Sequence, residues 1–281
     1  MSFKNILINF ICGFFVGGGA IMPGFSGGVL CVVFGVYQTV MELFSHPFRT
    51  IKRHWKMLLP IGIGWLVGFI IFANLIKLAF AGSDLFSTWA FIGLILGEVP
   101  ALFKEAGSKG RKRADWIAAV IAGLTVFSIL FGVKFLVHEH FALNIWWSLF
   151  GGFMWGLSIV IPGMTSTSIM LSLGFYEEFN AGLATLNPSV VIPWVLGMAI
   201  TAAVLAQIIS RLFEKYYSIC YHCVVGITFA STLAVIPLPN EADYNLVRIL
   251  ICALICIVGF VLALLSDKLK VISDYKEEDK K

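Results

Sequence analysis

Charge is what this chain has least of. Of its 281 residues only 13% are Asp, Glu, Lys or Arg, about half the share usual in soluble domains. Hydrophobic residues make up 59%, and the mean hydropathy is +0.92. These numbers exclude a water-soluble globular domain and imply an integral membrane protein built almost wholly of spanning segments. The net charge of +4 is small and its cations sit in short loops, which argues against a nucleic-acid-binding face. Long soluble stretches, linkers and low-complexity tracts are missing. Metal ligands are scarce as well. "CYHC" at 220–223 offers one Cys pair and one His, without the second ligand pair that structural zinc needs. The six cysteines therefore read as small apolar residues. "MSFKNILINFICGFFVGGGA" has the look of a secretory signal, but a similar segment recurs later, so it belongs to the mature fold.

What is present is a pattern stated twice. "AIMPGFSGGVLC" (20–31) and "IVIPGMTSTSIM" (159–170) each place Pro-Gly and then hydroxyl and small residues inside an apolar run. Setting Pro23 over Pro162 gives an offset of 139 residues. Gly13, Phe14 and Gly17 then meet Gly152, Phe153 and Gly156; Gly35 and Tyr37 meet Gly174 and Tyr176. Farther on the offset is 133: Pro60, Gly64 and Gly93 meet Pro193, Gly197 and Gly226. This ladder reads as an internal duplication, with halves at 1–138 and 139–281. Each half holds two short apolar pieces around its Pro-Gly and then three longer segments. The pieces are expected near 6–22, 28–44, 57–80, 86–103 and 114–136, and near 145–161, 167–185, 190–212, 219–238 and 246–266.

The loops carry an orientation signal, because Lys and Arg favour the cytoplasmic side. "SHPFRTIKRHWK", "KEAGSKGRKRAD", "RLFEKYYS" and the Lys-containing tail are expected inside. "AGSDLFST", "HEHFALN", "YEEFNAGLATLNPS" and "PNEADYN" lack Lys and Arg and are expected outside. Segment 57–80 then runs outward and its counterpart 190–212 inward. The expected fold is an all-α polytopic membrane protein with an inverted-topology repeat and both termini cytoplasmic. Each Pro-Gly segment begins and ends on one side, so it is either a re-entrant hairpin or two thin full crossings. Pieces of about 16–17 residues span about 25 Å, short of the ~30 Å hydrocarbon core.

Pro removes a backbone donor and Gly admits unusual dihedrals, so each Pro-Gly stops one helix. The helix that follows has unpartnered N–H groups and the positive end of its dipole at its start. In lipid such groups must face protein or a wet cavity, and they suit an anion. Two such ends approaching from opposite faces would meet where inverted-repeat transporters hold substrate. The plainer reading is a kinked helix whose hydroxyls bond back to its own backbone.

Other polar positions carry two readings each. Glu98, inside an apolar segment, is either a functional intramembrane carboxylate or an interfacial group about five residues from the inner end. Lys77, Arg211 and Arg248 either attract a phosphate at the mouths or snorkel. Trp55, Trp89, Trp116, Trp146, Trp147 and Trp194 are expected to form interfacial belts.

"GGGAIMPGFSGGVLCVVFGVY" and "WGLSIVIPGMTSTSIMLSLGFYE" resemble the paired signatures of the bacterial polyprenyl-phosphate transporter family, once a domain of unknown function. The resemblance covers nearly the whole chain. It implies a flippase in the bacterial cytoplasmic membrane that returns undecaprenyl phosphate from the outer to the inner leaflet, recycling the envelope's lipid carrier. It places the substrate on Pro23, Gly24, Ser26, Gly27 and Gly28 and on Pro162, Gly163, Thr165, Ser166 and Thr167. No cofactor is implied; a proton or sodium is the expected coupling ion, and the oligomeric state is left open. The membrane undecaprenyl-diphosphate phosphatases share the Pro-Gly-x-Ser motif, but an Arg follows it there. Gly27 and Ser166 stand in that place here, with no Glu-rich helix beside either motif, which argues against an enzyme. A carrier for a small soluble anion is a third reading of the same residues.

Overall fold

The computed structural model describes residues 3–22, 30–31, 34–36, 39–40, 42–43, 47–136, 143–161, 164, 166–237 and 245–278. Among them every regular element is a helix. In chain order these are α1 (Phe3–Ile21), α2 (Pro47–Gly82), α3 (Asp84–Ala106), α4 (Arg113–Leu136), α5 (Ile145–Val160), α6 (Ser166–Ser172), α7 (Tyr176–Ala184), α8 (Pro188–Lys215), α9 (Tyr217–Val235) and α10 (Leu246–Glu278). Seven are long and apolar enough to cross a bilayer: α1, α2, α3, α4, α8, α9 and α10. The chain is a polytopic membrane protein. α5, with 16 residues, reaches only about 24 Å at 1.5 Å per residue.

Local chemistry sets the ends. The side chain of Ser83 accepts from the Phe86 N–H to start α3, and Asn144 accepts from the Trp147 N–H to start α5. Asn187 does the same for Ser189, with Pro188 in the first turn of α8; each bond quiets an orphan amide. Three stretches differ from expectation, one of them α10, which runs on to Glu278 rather than ending near 266. The basic stretch before residue 57 is helical from Pro47, with non-helical dihedrals at His54 (φ −118°, ψ 15°), because loop-like charge does not oppose helix at a membrane surface. The expected piece 167–185 is two helices, broken at Gly174 in the left-handed region (φ +76°).

The helices pack through glycine. A Cβ on Gly13 would run into the carbonyl oxygen of Ile61, and one on Gly64 into that of Phe10. In the second half, Gly152 meets the carbonyl of Trp194 in the same way, and Gly197 that of Leu149. The pairs are related by the offsets 139 and 133, so α1 sits on α2 as α5 sits on α8. Lipid supplies little hydrophobic drive between helices, so close backbone contact of small residues supplies the packing. Two further pairs cross the halves. α3 packs on α10, where Gly93 meets the Cys256 carbonyl; α9 packs on α4, where Gly226 meets the Ala119 carbonyl.

The outer faces stay apolar and bare. On α4, Ile117, Val120, Ile121 and Leu124 are all more than half exposed, a stripe with helical spacing that faces lipid. The interior is aromatic where α2 meets α5 and α8. Phe69 lies 5.2 Å from Trp65, 5.9 Å from Trp155 and 5.7 Å from Trp194, centroid to centroid. Trp194 is therefore a core residue (6% exposed), not part of a belt, whereas Trp55, Trp116 and Trp146 are exposed.

Candidate functional site at the broken helices

In the second half the break lies between α5 and α6. Pro162, Gly163 and Thr165 lie outside the described residues, but Ser166 and Thr167 open α6 and are buried. The Ser166 N–H donates to Ser158 Oγ of α5 at 2.9 Å, so one of the orphan amides is met by a hydroxyl across the break. The next turn is held by a seam of hydroxyls. Ser168 Oγ and Ser231 Oγ lie 2.9 Å apart, and Ser172 Oγ donates to the Ser231 and Ser168 carbonyls at 3.0 and 2.8 Å. Ser168 and Ser231 are both fully buried. α6 is thereby tied to α9 by hydrogen bonds rather than by apolar contact alone, and a buried hydroxyl left without a partner is costly.

In the first half Pro23, Gly24, Ser26, Gly27 and Gly28 all lie outside the described residues. Their flanks are described. α1 ends at Ile21, whose carbonyl accepts from the buried Tyr176 hydroxyl at 3.2 Å. After Cys31, Gly35 is left-handed (φ +69°) and the Val36 N–H donates to the Cys31 carbonyl at 2.8 Å. In the second half the Phe175 N–H donates to the Met170 carbonyl at 3.3 Å beside left-handed Gly174. Both turns close the same way, and all three positions are related by the 139-residue offset.

The remaining candidates are dispersed. Lys77 is exposed near the end of α2 and lines a cavity of about 750 Å³ with Asn144, Ser148, Glu178 and Asn187. Glu178 accepts there from the Leu143 N–H at 3.0 Å. Arg211 is exposed on α8 near the opposite end. Arg248 is exposed in the first turn of α10, where its N–H donates to Asn245 Oδ1 at 2.8 Å. Glu98 is half-buried on α3. That helix runs on to Ala106, which puts Glu98 eight residues from its C-terminal end, where about five were expected, and one turn from the helix midpoint. Among the described residues, which include "CYHC", no cluster of three His, Cys, Asp or Glu is poised to hold an ion. His222 is instead buried against the edge of Trp116, its Nδ1 2.7 Å from the Ser218 carbonyl.

Sequence reasoning missed Ser158, Ser168, Ser172 and Ser231. The signal was available: adding 133 to Glu98 lands on Ser231, and Thr228, Ser231 and Thr232 form one polar patch in an apolar helix.

The two ends of the bundle also sort. Lys109 Nζ lies 4.2 Å above the Tyr217 ring, and Ser218 Oγ donates to the Ala106 carbonyl at 3.3 Å. The basic 104–113 stretch thus meets the α8–α9 junction. At the other end Asn74 Nδ2 donates to the Ala184 carbonyl at 3.3 Å and Asn180 Nδ2 to the Ala73 carbonyl at 2.8 Å.

Residues 45–251 match the undecaprenyl phosphate translocase-like family. A curated protein of Vibrio cholerae serotype O1, named polyprenyl-phosphate transporter, is 24% identical over 237 residues, covering 79% of this chain and 75% of its own. One of Staphylococcus aureus with the same name is 25% identical over 283 residues, covering 92% and 94%. No solved structure matches.

Proposed function

The chain belongs to the undecaprenyl phosphate translocase-like family, a family of transporters rather than enzymes, and from that premise we propose how it works. It carries undecaprenyl phosphate from the outer to the inner leaflet of the bacterial cytoplasmic membrane. The phosphate is held at the two Pro-Gly breaks, on Pro23, Gly24, Ser26, Gly27 and Gly28 from one side and Pro162, Gly163, Thr165, Ser166 and Thr167 from the other. The isoprenoid tail stays in lipid.

The observation that carries this reading is the doubled break. The two Pro-Gly segments stand at matched places in the sequence, their flanking turns close the same way around Gly35 and Gly174, and in the second the hydroxyl residues Ser166 and Thr167 stand at a helix start, an arrangement that suits an anion. A single kink has no need of a matched copy. The sorted ends of the bundle support an inverted repeat with the 104–113 end cytoplasmic and both termini on that side. Lys77 on the outer rim and Arg211 on the inner rim then draw the head group toward the breaks, with Arg248 beside the outer end.

Direction requires a coupling ion. A bacterial interior is negative, and each negative charge moved inward costs about 2.3 kcal/mol per 100 mV. A phosphate monoester, with a second pKa of about 6, bears between one and two charges. A co-moving cation, a proton before sodium, offsets that cost.

Purified protein in liposomes decides the matter. Fluorescent or radiolabelled polyprenyl phosphate should change leaflets without release of inorganic phosphate. Inward movement should respond to an imposed pH gradient at fixed potential. Hydrolysis without exchange, or exchange of soluble phosphate only, would replace this reading with one of the two alternatives.

A further inference from the structure

We infer that the start of α2, from Pro47 to Lys56, is a surface helix lying in the head-group layer of the cytoplasmic leaflet, where Arg49, Lys52, Arg53 and Lys56 bind the phosphates of resident anionic phospholipids. From the reading above the inference takes only the side of the membrane; it does not depend on what is carried.

α2 is too long for its membrane. Its 36 residues reach about 54 Å at 1.5 Å per residue, against ~30 Å of hydrocarbon and about 40–45 Å with both head-group layers. A tilt of about 20° takes up only about 3 Å of that. The surplus is the length of about six to nine residues. Non-helical dihedrals interrupt α2 at His54 (φ −118°, ψ 15°), so the kink falls where the surplus ends.

Around this stretch the residues sort by chemistry. Phe48 (87% exposed), Ile51, Trp55 and Leu59 make one exposed apolar stripe at helical spacing, which runs on into Ile63 and Leu66 on the lipid-facing side. Arg49, Lys52, Arg53 and Lys56 are exposed as well and lie about 100° round the helix from that stripe. The third side turns inward: Thr50 is buried, and its hydroxyl donates to the Glu42 carbonyl at 3.1 Å. An apolar stripe beside a basic one is the pattern of a helix that lies in the membrane interface. Lys56 Nζ sits 5.8 Å from the centre of the Trp55 ring, a pairing suited to head-group depth.

What the cations bind follows from what they lack. No Asp or Glu stands between Glu42 and Asp84 in the sequence, and among the described residues none of the four cations is in an ion pair. An acidic protein partner would leave Phe48 and Ile51 in water, whereas a bilayer takes both stripes at once. The cations are strung along about 10 Å of helix rather than converging on a point. They suit several phosphodiester heads side by side, as phosphatidylglycerol offers, and not one transported phosphate gripped from several sides. Each Lys or Arg at an anionic surface favours contact about fivefold. The next turns of α2 carry α1, with Gly13 against the Ile61 carbonyl, so the surface helix fixes the inner end of that pair.

The test uses the full-length protein in phosphatidylcholine vesicles containing phosphatidylglycerol, with a fluorescent probe on F48C in a background without native cysteines. Phosphatidylglycerol brominated high in its acyl chains should quench the probe more than phosphatidylcholine brominated likewise, at equal mole fraction. That excess should fall severalfold in K52Q/R53Q, and also with unaltered charges when salt is raised to about 1 M, where the screening length is ~3 Å. Equal quenching by the two lipids, an excess that survives salt, or one that K52Q/R53Q leaves whole overturns the assignment. Quenching by neither lipid puts the segment outside the membrane and overturns it too. Should K52Q/R53Q not insert, the salt series decides. Loss of the excess on adding an equimolar trace of polyprenyl phosphate would give the surface to the transported lipid and overturn the commitment to resident phospholipid. None of these readouts needs transport, so their failure leaves the transport reading standing, and a protein that exchanges no lipid can still pass them.

Discussion

Ser26 and Gly27 are neighbours with unequal expected burdens. A hydroxyl contributes about 0.5–1.5 kcal/mol through one neutral hydrogen bond, so Ser26→Ala should slow transport by roughly tenfold or less. Gly27→Leu would block the close approach of phosphate to backbone N–H groups, and transport should fall below detection while membrane insertion is unchanged. Transport rates of the two variants, normalised to inserted protein, check this; a normal rate for Gly27→Leu would place the phosphate elsewhere. At this scale legibility was uneven. Polar atoms at the Pro-Gly breaks stood out because backbone cannot be broken in lipid without compensation. Ser231 did not stand out, since a hydroxyl in an apolar helix looks the same whether it bonds a carbonyl of its own turn or reaches another helix. Trp194 was misread for a related reason. Amphipathic aromatic side chains suit both a headgroup layer and a core, and only the contacts with Phe69 and Trp155 tell them apart.

Among elements, the decisive contacts are backbone to backbone. Gly93→Val and Gly226→Val should each push two helices apart, at the cost of about 1–3 kcal/mol that overpacking brings, and the two should be alike in size. Gly62, with open space where its Cβ would be, is the control: Gly62→Val should change little. Thermal unfolding in detergent followed by helix signal measures all three, and a Gly62→Val loss equal to the others would remove the packing argument. The glycine ladder was readable as a repeat because its spacing is preserved, and the structure adds the reason the spacing matters at Gly13, Gly17, Gly64, Gly93, Gly152, Gly197 and Gly226: each lies against a carbonyl of the facing helix. Helix ends were less readable. The start of α2 at Pro47 and the break at Gly174 depend on surface partners and on one dihedral, neither of which hydropathy records.

For the whole molecule, the charged loops predict an arrangement that labelling can check. In a background without native cysteines, a Cys at Lys52 or Lys109 should react with an impermeant maleimide only from the cytoplasmic side, and a Cys at Ser189 only from outside. Reaction of Lys109→Cys from outside would reverse the scheme. The six longer apolar segments were legible because length and apolarity decide them, whereas α1, expected as a short piece, is also long and apolar enough to cross. Which helices from different halves touch was not legible, since any apolar face will serve lipid or protein alike. Those cross-half contacts reach furthest. α3 of the first half leans on α10 of the second, and α9 of the second on α4 of the first. Each half thus lends a helix to complete the other, like two hands with fingers interlaced. A chain cut in the 137–142 connection would yield two fragments that are each incomplete, and a ribosome that has finished the first half has still made nothing that can stand alone in the bilayer until α10 arrives.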